Sequence, residues 1–239
     1  MTTQANYPTI RPMGLDGMLV SFAGALSEPA NRAALAFRAA LAGASLPGVK
    51  EMSTSLVSVY IRFDPGVAEY DDLRAALRNM LASRSWLTEA LPSGRTVWRV
   101  PTVYGGEHAP QLNEAAEVAG LSVAEAVDDL AATRVRVLAI GFAPGQPYMG
   151  LLGEHWNLPR QTALTPMVPP GALVLAIRQL VLFTNSSPTG WRHVGQTRFR
   201  NFDPAGDPVF ALKPGDEMQF DPCPADSLET RPVRREGLP

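Results

Sequence analysis

Lysine, cysteine and histidine are scarce in this chain of 239 residues. Lys50 and Lys213 are the only lysines among 21 basic residues, so nearly all the positive charge is arginine. A phosphate-cradling P-loop needs Gly-Lys-Ser/Thr behind a glycine turn. Lys50 precedes Glu51 and Lys213 precedes Pro214, which excludes one. Both lysines have charged or turn-like neighbours, which argues against a Schiff base. The single cysteine, Cys223, excludes an internal disulfide, and a reducing, cytoplasmic location is expected. It stands between Pro222 and Pro224, without the cationic or helix-start setting that activates a thiol. His108, His155 and His193 show no metal-ligand spacing, so no metal site is expected in this chain. There is no G-x-S-x-G nucleophile elbow. A net charge of −2 gives no support for a nucleic-acid surface. No stretch reaches the ~18 apolar residues of a membrane span. The opening Met-Thr-Thr-Gln-Ala-Asn-Tyr-Pro has neither the basic nor the apolar region of a signal peptide.

What is present is a globular balance, 46% hydrophobic and 18% charged, with 22 prolines and 20 glycines. The first part alternates strand and helix. A strand is expected at 18–23 and a helix at 28–41, with Gly43 as its stop. Val57, Val59, Ile61 and Phe63 alternate with Ser58, Tyr60 and Arg62, which predicts a strand over 56–63. A second helix follows over 69–81. This β-α-β-α run can cover one side of a sheet with two helices. Leu-Pro-Ser-Gly at 91–94 marks a boundary, giving domains 1–92 and 93–239. The second begins with a strand at 95–103 and a helix at 112–119 closed by Gly120. Ser122 and Glu125 form a capping box for another helix ending near Ala131. After a strand at 134–140, short apolar runs are separated by proline and glycine clusters, the pattern of a barrel. The run 173–183 reads as two buried strands. Lys213-Pro214-Gly215-Asp216 makes a turn into a strand at 217–220. The polar tail from Ala225 is expected to be mobile.

Three segments could carry chemistry. Gly141-Phe142-Ala143-Pro144-Gly145-Gln146-Pro147-Tyr148-Met149-Gly150 is a rigid loop whose backbone N–H groups could approach an anion or carbonyl. The same composition also describes a plain turn between barrel strands. Leu158-Pro159-Arg160 presents a guanidinium fork suited to carboxylate or phosphate, or simply a solvated arginine. Ser187-Pro188-Thr189-Gly190-Trp191, followed by Gly195-Gln196-Thr197, offers a tryptophan that could be core or pocket floor.

Taken together, these segments resemble the family that holds the B subunit of 5-oxoprolinase and the first subunit of allophanate hydrolase. Its relatives include carboxyltransferase domains and a bacterial sensor-kinase inhibitor. The loop 141–150 is similar to the family's Gly-Phe-x-Pro-Gly-Phe-Pro-Tyr-Leu-Gly. Pro159-Arg160, Val168-Pro169-Pro170-Gly171 and Pro188-Thr189-Gly190-Trp191 follow in the family's order. Earlier, residues 13–20 resemble its opening strand and 103–112 its tyrosine–Gly–Gly–Glu segment. The resemblance implies a small α+β domain followed by a cyclophilin-like β-barrel. It also implies a barrel-type second subunit, similar to the C subunit of 5-oxoprolinase or the second subunit of allophanate hydrolase. The implied activity is ATP-dependent opening of a small lactam or ureido acid, with ATP and its magnesium bound together with the partner. Substrate or phosphate contacts are then expected at Gly141, Phe142, Pro144, Gly145, Tyr148, Arg160, Pro169, Gly171, Ser187, Gly190, Trp191 and Thr197. No catalytic residue is assigned.

The departures are specific. Leu130 stands where the family has a histidine, and Thr165 and Gln196 where it has arginines. Gln146 replaces the loop's second aromatic, and Thr189 a glycine. His193 replaces an apolar residue and is read as structural. Two alternatives stay open: a non-catalytic regulator resembling the histidine-kinase inhibitor, and a carboxyltransferase component.

Overall fold

A computed structural model describes residues 6–238. Most of the opening stretch read for a signal peptide, residues 1–5, lies outside the described residues. The chain divides into two compact units, Met1–Ser93 and Gly94–Pro239.

The first unit runs β1 (Thr9–Met13), β2 (Gly17–Ser21), α1 (Glu28–Ala44), β3 (Val49–Ser55), β4 (Ser58–Phe63) and α2 (Tyr70–Ala82). Its sheet is antiparallel in the order β1-β2-β4-β3. The expected β-α-β-α run is therefore β-β-α-β-β-α. The two strands absent from the sequence reading are the sheet's edges. Edge strands need no buried alternation, and β1 and β3 are mostly exposed, with Arg11, Pro12, Lys50 and Glu51 among their residues. The central strands supply Met18, Val20, Val59, Ile61 and Phe63 to a core shared with Phe37, Leu41, Leu73 and Leu77. Helix α1 runs through Gly43, whose position is open, and stops at Ser45 in the left-handed region.

The second unit is a closed barrel. It contains β5 (Arg95–Val103), α3 (Leu112–Ala119), α4 (Val123–Ala132), β6 (Val135–Ile140), β7 (Pro147–Gly150), β8 (Thr165–Val168) and β9 (Ala172–Ala176). Then come β10 (Gln179–Leu182), β11 (Ser187–Thr189), β12 (Arg192–Thr197), β13 (Glu217–Pro222) and β14 (Arg234–Leu238). The ring reads β12-β9-β10-β7-β6-β13-β5 and returns to β12. Closure uses the length of β5. Its far end, Thr102 and Val103, pairs with β12, while Arg95 to Arg99 pair with β14. The capping box forms: Glu125 N donates to Ser122 Oγ, and Ser122 N donates to Glu125 Oε2. Helices α3 and α4 contribute Leu112 and Leu130 to a core with Val137, Met149, Leu173, Leu175, Val194 and Phe220. The expected α+β unit and barrel are thus both present. Among the described residues no helix is long and apolar enough to cross a membrane.

The tail from Ala225 contains two elements. Ala225–Ser227 forms a helical turn, and β14 joins β5 in an antiparallel ladder. Ions hold β14 as well. Asp221 accepts two bonds from Arg99 (3.0 and 2.7 Å) and one from Arg234 (3.1 Å). Burial raises the Asp221 carboxyl, but the two arginines outweigh it and hold the group below its ordinary value. A lowered carboxyl binds fewer protons folded than unfolded. Its contribution is complete above the ordinary carboxylate range and fades as pH falls through the lowered value. Acid is therefore expected to loosen β14 before the barrel. Amide exchange over 234–238, corrected for its intrinsic pH dependence, should rise several-fold while Val100 and Val137 stay protected. Asp221→Asn should reproduce this at neutral pH.

Candidate functional site

Strand β9 is buried on both faces. Leu173 and Leu175 point into the barrel, while Ala172, Val174 and Ala176 join an outer cluster with Val168, Val181, Phe183 and Trp191. Strand registers extend that outer face sideways: Tyr148 opposes Val181, Val181 opposes Val174, and Val174 opposes His193. Along β9, Ala172 opposes Gln196. A bulge lies between His193 and Gly195. Residues three apart on a regular strand face opposite ways; the extra residue brings His193 and Gln196 to one face.

At the end of this face lies a cavity of about 830 Å³. Pro144, Pro169, Gly171 and Thr197, all expected site residues, line it. Gly171 has φ +81°, and a Cβ there would stand 2.2 Å from the Thr197 carbonyl oxygen. Gly145, at φ +72°, packs against Phe202, and its carbonyl accepts from Asn201 Nδ2 at 2.7 Å. Gly141 N donates to the Gln146 carbonyl and closes the loop.

The remaining expected residues lie elsewhere. The Arg160 guanidinium stands 5.2 Å over the Trp191 ring, which meets Tyr148 edge-on at 6.2 Å. Gly190 supports this group through its carbonyl, which accepts from Gln161 N. Ser187 pairs with Val168 and is buried. Phe142 is 80% exposed. Arg160, Tyr148, Gly190, Trp191, Ser187 and Phe142 do not line the cavity.

The three positions where the family has a histidine or an arginine also separate. Leu130 sits in the barrel core, where a histidine would be desolvated. The Thr165 hydroxyl donates to Gln161 at 3.3 Å. Only Gln196 lines the cavity, with Nε2 donating to the carbonyls of Pro170 (2.8 Å) and Thr197 (3.1 Å). His193 is 4% exposed. Burial pushes its imidazole below the ordinary value and His108 adds to this, against the Gly195 backbone and Gln196.

Several cavity residues were not among the expected contacts: Glu107, His108, Arg198, Arg200, Asn201 and Glu229. Arg198 and Arg200 had a readable signal, since they alternate directly after the Gly-Gln-Thr segment and so share a side. Asn201 had none, because its partner Gly145 is 56 residues away. Glu229 lay in the tail expected to be mobile.

Comparison with known proteins bears on these same segments. The model of the carboxyltransferase domain, subdomain C and D, matches residues 8–212. The chain is 27% identical over 221 residues to the B subunit of 5-oxoprolinase from Bacillus subtilis, across 88% of this chain and 91% of that one. It is 35% identical over 135 residues to the B subunit of 5-oxoprolinase from Escherichia coli O157:H7, across 56% of this chain and 62% of that one. The crystal structure of TTHA0988 matches with a TM-score of 0.71 at 30% identity. That match covers 91% of this chain but 40% of TTHA0988, so the chain spans less than half of that protein.

Proposed function

Because the chain belongs to the carboxyltransferase domain family, subdomain C and D, we propose that it is one subunit of a multi-subunit, ATP-dependent amidohydrolase. Its substrate in this reading is a small lactam or ureido acid, opened together with a barrel-type partner subunit. The cavity carries the reading. Pro144 from the loop 141–150, the turn 169–171 and the end of β12, segments that resemble the family, contribute to its lining, and Arg198 and Arg200 stand on its wall.

The chemistry explains what such a wall would do. Amide resonance makes a lactam carbonyl a poor electrophile. In this reading the carbonyl oxygen would take a phosphoryl group from ATP, releasing ADP. Water would add to the activated carbon, and the ring C–N bond would break as its nitrogen takes up a proton. A second water would release phosphate from the resulting acyl phosphate. Negative charge on the phosphoryl oxygens needs cations and backbone donors held in place. Backbone donors of the wall would face that charge, Arg198 and Arg200 would hold the substrate's own carboxylate, and the turn 169–171 would shape the wall. Magnesium would arrive with the nucleotide. Tyr148 and Arg160, the latter over the buried Trp191, lie on the adjoining outer face and would be available to the partner subunit.

The test is ATP consumption by the chain co-purified with its barrel-type partner, over a panel of lactams and ureido acids. Substrate-dependent turnover is expected. Replacing both Arg198 and Arg200 by Gln should lower it at least ~100-fold, since each charge-assisted contact contributes roughly 1.5–3 kcal/mol. Arg160→Ala should cost far less; the reverse order would place the anion clamp over Trp191. Silence across the panel with an intact complex would overturn the reading. It would favour a non-catalytic regulator, for which the exposed Phe142, Leu164 and Met167 offer a protein-binding surface. Reduced autophosphorylation of a bound histidine kinase would then be measured.

A further inference from the structure

We propose that the cavity binds a singly charged oxyanion, the carboxylate of a lactam or ureido acid, and that Glu229 occupies that anion's place in the unliganded chain. Arg198 pairs with the Glu229 carboxylate, and both residues line the cavity. Glu229 is not delivered by a loose tail. Leu228 beside it is buried, and the turn Ala225–Ser227 precedes it, so the carboxylate is carried on an anchored wall.

Charge decides the ligand's class. The ionised side chains on the wall are Arg198, Arg200, Glu107 and Glu229. They balance while Glu229 rests on Arg198. When Glu229 moves off, one positive charge is uncovered for one negative group. Thr184 and Asn185 on the same wall add neutral hydrogen-bonding groups.

The pair is also weak enough to exchange. Its side chains are 58% and 62% exposed, so water and salt compete with it. A ligand carboxylate placed between Arg198 and Arg200 gains a second charge-assisted contact that the Glu229–Arg198 pair lacks. Glu229 is thus an internal competitor that sets affinity, and ligand binding frees the 225–229 wall.

The choice of a lactam or ureido acid rests on the function proposed above; the competition by Glu229 does not. The test uses the full chain and direct binding by calorimetry. Three compounds are titrated: 5-oxoproline, pyrrolidin-2-one (the same ring without the carboxylate) and inorganic phosphate. Glu229→Gln should bind 5-oxoproline about 3- to 5-fold tighter, the factor an exposed ion pair carries. Arg198→Gln should bind it at least ~10-fold more weakly. Pyrrolidin-2-one should be indifferent to Glu229→Gln. Glu229-dependent binding of phosphate alone would keep the internal competitor and overturn the carboxylate assignment. Unchanged or weaker binding of both anions to Glu229→Gln, or no binding of either, would overturn the whole inference. Lactam turnover by the complex with no Glu229 effect would leave the function standing without it.

Discussion

Gly171→Ala is expected to lower the melting temperature of the barrel unit by roughly 10 °C, from a loss of about 3–5 kcal/mol. Two costs combine. The residue has φ +81°, where any side chain is strained. The new Cβ would also stand 2.2 Å from the Thr197 carbonyl oxygen and 2.8 Å from Gln196 Nε2. The first neighbour is backbone and cannot rotate aside. Nor can the turn easily retreat, because Gly171 N donates to the Phe183 carbonyl at 2.7 Å and Thr197 N donates to the Gly171 carbonyl at 2.8 Å. The change therefore strikes the join between the turn and β12, where Gln196 is anchored. Anion binding in the cavity should be lost before the fold is. Trp98, Trp156 and Trp191 report on this unit by fluorescence, with Trp86 reporting on the other. Gly141→Ala is the control. Its Cβ would meet nothing within 4 Å and its φ is not positive, so a change within ~0.5 kcal/mol is expected. A Gly171→Ala protein that melts like the control would disprove the close approach of turn and strand.

How much of this was legible depends on where the information resides. β5 and α3 end at the residues expected, because an apolar stripe, a glycine stop and a proline-glycine boundary are local signals. The capping box was local too. The edge strands β1 and β3 were not legible, since their polar residues satisfy the ladder without burying a face. The outer cluster explains why 172–176 lacks alternation: both its faces are covered. For the expected site residues, what was not legible is how they divide in space. Pro144, Pro169, Gly171 and Thr197 share one cavity, whereas Arg160 belongs to Trp191. Nothing in Pro159-Arg160 says which concavity the arginine will serve. The wall at 225–229 was hidden for a different reason. A polar, proline-containing tail reads as loose, and only pairing with β5, distant in sequence, brings it home.

Asn201→Asp should produce the second large effect, and one with its own pH signature. Asn201 is 1% exposed and satisfied at both ends. Its Nδ2 donates to the Gly145 carbonyl at 2.7 Å, and its Oδ1 accepts from Leu212 N at 2.6 Å. Those partners fix the amide's orientation, since a carbonyl needs the NH₂ end and an N–H the oxygen. An ionised aspartate of the same shape keeps the bond from Leu212. It then sets a second acceptor, negatively charged and desolvated, against the Gly145 carbonyl. That should cost roughly 3 kcal/mol or more at neutral pH. Protonated, the carboxyl regains both bonds, its O–H donating to Gly145 and its C=O accepting from Leu212. Burial and the facing carbonyl both favour the neutral form, so the folded pKa rises above the unfolded value near ~3.9. A raised carboxyl holds more protons folded than unfolded. The variant is then closest to the parent below the unfolded value and falls behind as pH rises through the folded one. Urea unfolding of both proteins from acid to mildly alkaline pH reads this directly. A gap that widens with pH and then levels off is expected. A gap independent of pH would mean that the loop 141–150 is not tied to the segment 201–212 through this side chain. The consequence reaches the cavity, because Asn201 itself lines it and the tie holds Gly145 beside the wall residue Pro144. Ligand affinity of the variant should therefore fall over the same pH range in which its stability falls.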